Sequence, residues 1–82
     1  MFEAKRAIIR YLRGCWPHSD TITPRFISPA LSSGAFVEAA QGLQDQGLIM
    51  YEMLLIGAGP EPLLREASLT RKGQFWEPDF EG

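Results

Sequence analysis

The chain has 82 residues, 45 % of them hydrophobic and 11 % aromatic, which allows one small domain with one core and is too apolar for a disordered segment. Its single cysteine, Cys15, excludes a disulfide framework within one chain and fits a reducing cytoplasm. The net charge of −2 is unevenly spread: residues 1–25 carry five basic against two acidic side chains and the remainder sums to −5, so a polyanion would have to meet the N-terminal third.

Residues 2–16 have helical spacing, with Ala4, Ile8, Tyr11, Leu12, Cys15 and Trp16 on one side and Lys5, Arg6, Arg10 and Arg13 on an adjoining basic flank. Those arginines also break any signal-peptide core, and no apolar run approaches the roughly 20 residues of a membrane span. A soluble, cytoplasmic protein is expected. Pro17 stops the helix, because the residue before a proline is pushed out of the α region. His18 to Thr21 then forms a polar connection. Thr23-Pro24 is an N-cap followed by proline at the first helical position, and the short helix it opens carries Phe26 and Ile27 inward before Pro29 ends it.

Ser32 or Ser33 caps a third helix over about 33–46, with Phe36, Ala39, Ala40 and Leu43 as its inner face and Gly47 closing it in the left-handed conformation. Leu48 to Ile56 and Leu63 to Leu69 are strands by their β-branched and large apolar content, joined by a loop rich in Gly and Pro. Strict alternation would put Ile49, Tyr51, Met53 and Leu55 on one face of the first strand and Met50, Leu54 and Ile56 on the other. Both faces are then apolar. Such a strand marks either an association surface, with adaptable methionines at Met50 and Met53, or a face covered by Phe75, Trp76 and Phe80.

Leu43 with Gly47-Leu48-Ile49, then Leu69-Thr70-Arg71-Lys72-Gly73, resembles the Leu-x-x-x-Gly-Leu-Ile and Leu-Thr-x-x-Gly signatures of winged helix-turn-helix proteins, closest to MarR-like and PadR-like bacterial regulators. The resemblance covers roughly residues 5–73. It implies an α+β fold, three helices with a two- or three-stranded antiparallel wing, as a domain over 1–73 followed by an aromatic, acidic tail over 74–82. It also implies a homodimeric transcriptional regulator with the third helix in the major groove of duplex DNA. Candidate DNA contacts on that basis are Arg25, Ser32, Ser33, Gln41, Arg65, Arg71 and Lys72.

The third helix itself carries Glu38 and Asp45 and no Lys or Arg, which opposes phosphate binding. A second class of function follows from that: a winged-helix protein-interaction module. Its candidate surfaces are the basic flank Lys5, Arg6, Arg10 and Arg13, the apolar hairpin at Met50, Met53 and Leu55, and the tail at Trp76 and Phe80. No enzyme, metal or cofactor is expected. Gly57-Ala58-Gly59 mimics the start of a dinucleotide fingerprint, but its third glycine position is Pro62 and too little chain follows for a βαβ unit. Cys15 and His18 are two potential ligands where zinc needs about four.

Overall fold

The structure, a computed structural model, describes residues 2–57 and 59–76, and of Phe2 the backbone alone. It is an α+β arrangement of four helices and a small antiparallel sheet. Helix α1, Phe2–Cys15, buries Ala4, Ile8 and Leu12 at four-residue spacing together with Ile9. That stripe is turned slightly from the expected one: Tyr11 and Cys15 are half-buried, and Trp16 lies outside the helix and exposed.

The connection expected to be irregular contains a strand, β1, Asp20–Ile22, which buries Ile22. It is short, and its backbone partner lies more than forty residues away, so no local pattern announces it. Thr23 then caps α2, Pro24–Ile27, accepting from the Phe26 N–H at 3.2 Å. Phe26 does not point inward: it is 58 % exposed, because a single turn has room for one inward side and Pro24 and Ile27 take it. Its ring meets Tyr11 edge to face at 5.2 Å.

Helix α3, Ser33–Asp45, starts where Ser32 Oγ accepts the Ala35 N–H at 3.1 Å. Phe36, Ala39, Ala40 and Leu43 are fully buried against α1 and the sheet. Truncating Phe36 to alanine should therefore cost about 3–5 kcal/mol. The helix closes as expected, with Gly47 at φ +75°, its N–H donating to the Gln44 carbonyl and Leu48 N–H to that of Leu43, a reciprocal pair that satisfies two terminal carbonyls.

Strands β2, Ile49–Met50, and β3, Met53–Leu55, both pair antiparallel with β4, Leu63–Leu69, so β4 is central, with β1 on its other side. The expected single strand from Leu48 to Ile56 is thus interrupted at Tyr51-Glu52, and the interruption changes the faces. Met53 joins Met50 outside, while Tyr51 and Leu54 pack with Ile49 against the core. The cause lies in β4. Asp20 pairs with Ala67 and Ile22 with Leu64, so Thr21 alone faces both Arg65 and Glu66, and Glu66 takes φ +53°. That extra residue is a bulge, and it breaks strict alternation on the strand and its neighbour alike.

After β4, Thr70 caps a last short helix, α4, Arg71–Gln74. Here the two sequence signatures meet. Thr70 donates its N–H to the Leu48 carbonyl at 3.0 Å and its hydroxyl to the Gly47 carbonyl at 2.6 Å, and Gly73 lies directly against Leu48. Among the described residues no helix is long and apolar enough to cross a membrane.

Candidate functional site

The solvent face of α3 is a stripe of Gly34, Glu38, Gln41 and Asp45, spaced by three and four residues, with Ser33 and Gln44 beside it. Gln41 is exposed midway along it, while Val37 is half-buried against the core. The stripe presents two carboxylates and no cation.

At the start of α3 the fold gathers three of the expected contacts. Arg25 from α2, the Ser32 cap and Ser33 line a cleft of about 280 Å³, closed by Pro60 and Glu61 of the loop between β3 and β4. Ser32 Oγ is already an acceptor for Ala35, which leaves its own hydrogen to donate. Glu61 accepts the Arg25 backbone N–H at 3.3 Å, an acid contact within the cleft that the sequence did not signal. The same loop forms the wall of a second cleft, also about 280 Å³, with Thr23, Leu55 and Leu63 on the sheet side.

Arg71 and Lys72 lie at the opposite end. Lys72 Nζ donates to the Gln46 carbonyl at 3.0 Å, and Lys5 Nζ reaches Gln46 Oε1 at 3.3 Å, its stem lying over Gly42. Two ammonium groups at the C-terminus of a helix oppose the negative end of its dipole. A 13-residue helix is about 20 Å long, so these residues and the Arg25 cleft do not form one patch. Arg65 is elsewhere again, on the outer face of the sheet, its Nε 3.1 Å from Glu52 Oε1. An exposed pair of that kind contributes about 0–1 kcal/mol, yet it neutralises the arginine toward other anions.

The α1 flank is also partly engaged. Arg13 donates to the Trp76 carbonyl at 2.7 Å, Arg6 is half-buried and in contact with other groups of the chain, and Arg10 is exposed. Trp76 packs against the core, whereas Phe75 is exposed; Phe80 lies outside the described residues. Neither Phe75 nor Trp76 covers the hairpin, where Met50 remains 57 % and Ile56 63 % exposed and Leu55 is half-buried.

Two tyrosines are shifted. Tyr11 donates its hydroxyl to Asp20 Oδ2, and this bond first, then burial and the nearby Asp20 and Cys15, holds its proton well beyond the ordinary phenol range. Tyr51 moves the same way, through burial and then Asp45. Neither lines the clefts beside α3. Comparison with known protein families, with characterised proteins and with solved structures finds no match for this chain.

Proposed function

We propose that the chain is a winged-helix module that presents α3 to duplex DNA and acts as a homodimer, in the manner of a small transcriptional regulator. The order helix, strand, two helices, then a hairpin returning through the centre of the sheet is compatible with that architecture. The observation that carries the reading is the convergence of Arg25, Ser32 and Ser33 on one cleft at the leading end of a helix whose outer stripe lies open. The charge inventory sets its strength. One copy offers Arg25 and Arg71 as exposed cations on the elements flanking α3, so a monomer meets about two phosphates and a dimer about four.

The test is the affinity of the full chain for mixed-sequence duplex as salt is varied. A dimer contacting four phosphates gives a slope of log K against log salt of about −4, and Arg25→Glu reduces it by roughly half. Absence of binding at low salt sinks the reading. The alternative, a winged-helix module that docks a protein, is favoured by one feature: Glu38 and Asp45 on the α3 stripe, with Lys5, Arg13, Arg65 and Lys72 all engaged inside the chain. On that reading duplex DNA is not bound at any salt.

A further inference from the structure

We infer that the outer edge of β3 is where a second copy of this chain joins, pairing antiparallel with its own counterpart. The inference rests on the homodimer in the reading above and not on its DNA ligand. Among the described residues β3 pairs only with β4, so one side of its backbone has no strand beside it. Unpaired edges are templates for another strand, and proteins usually guard them with charge, proline or a covering element. The other edge, β1, has the Asp20 carboxylate, held by Tyr11. Residues Met53, Leu54 and Leu55 carry no charge and no proline, and Met50 and Ile56 extend the exposed apolar row.

An unguarded edge selects an extended strand as its occupant, and β3 fits itself. With the two-fold axis at Leu54, Met53 faces Leu55 of the partner subunit on the outer side of the sheet, and Leu54 meets its own copy on the inner side. Glu52 then falls opposite Ile56 of the partner subunit, so the carboxylate that precedes the strand does not meet its like. Such an axis is normal to the sheet. The helical layers of both copies therefore share one side of a continuous sheet, which doubles the cations offered on that side. The contact is smaller than the roughly 800 Å² that each partner contributes to a standard interface, so the dimer is weak, with Kd about micromolar or above.

The test is sedimentation velocity of the full chain without DNA, over about a hundredfold range of concentration, with amide hydrogen exchange at both limits. Mass should rise from monomer to dimer, and protection of Met53 to Leu55 should rise with it. Met53→Lys should move the transition at least tenfold higher in concentration with an unchanged melting curve, while Phe26→Lys, also exposed but away from the edge, leaves it in place. A monomer at all concentrations, a dimer without concentration-dependent protection at β3, or equal loss in both variants overturns the inference. The exchange readout needs no variant, so it decides even if Met53→Lys fails to fold. A monomer that still binds DNA with the salt dependence given above removes this interface and spares the α3 reading.

Discussion

Gly73 has no side chain because none fits. A Cβ at this position would stand 1.9 Å from the Leu48 carbonyl oxygen, a backbone atom already fixed by the Thr70 N–H. Gly73→Ala must separate the end of β4 from the turn after α3, and should cost about 3 kcal/mol, read as a lower urea midpoint at constant slope. Tyr11 supports a second prediction at this scale. Its folded pKa lies above the value of about 10 expected for an unfolded chain. A group raised on folding stabilises fully below its unfolded pKa, and that contribution is lost as pH rises past it. Stability should hold through neutral pH and fall above about pH 10. Tyr11→Phe should flatten most of the alkaline fall, leaving the part due to Tyr51, as followed by urea unfolding across pH.

Among the elements, β4 governs the outer surface. Its extra residue at Arg65-Glu66 puts Met53 into solvent beside Met50, and so creates the exposed apolar row. Glu66 holds φ +53°, a conformation that costs a side-chain-bearing residue about 1–2 kcal/mol. Opposing this, its carboxylate accepts the Ser19 hydroxyl at 2.7 Å in an exposed setting, worth about 0.5–1 kcal/mol. Glu66→Gly keeps the backbone, removes the strain and loses that bond. Stability by urea unfolding should rise by about 0.5 kcal/mol; a fall would mean that the Ser19 contact outweighs the strain. None of this was legible beforehand. A bulge leaves no mark in a run such as Leu-Leu-Arg-Glu-Ala, and period-two counting assigned Met53 to the wrong face.

For the whole molecule, legibility followed the range of the interactions. The Thr23-Pro24 start of α2, the serine cap and Gly47 closure of α3 and the span of β4 rest on neighbours within a few residues, and all were readable. Strand β1 was not, since its partner is remote, and neither was the outward turn of Phe26, which depends on Pro24 and Ile27 taking the inward side of the single turn. The candidate contacts show the same division. Sequence named Arg25, Ser32 and Ser33, which the fold assembles, and also Lys72 and Arg65, which it draws into Gln46 and Glu52. Charge can be counted along a chain, but whether a cation is already answered by its own protein is a tertiary fact.

Among the described residues, the polar ties between α3 and the rest of the chain gather at one end: Lys5 and Lys72 on Gln46, Thr70 on Gly47, Gly73 wedged under Leu48. The Ser32 end holds only its local cap. The helix is clamped by polar contacts at its tail, whereas its first turn is held by the burial of Phe36 and by the Ser32 cap. Backbone fluctuation should therefore grow only ahead of Phe36, toward Ser33, and whatever engages that end meets a surface able to adjust by small rotations while the clamp keeps the core closed.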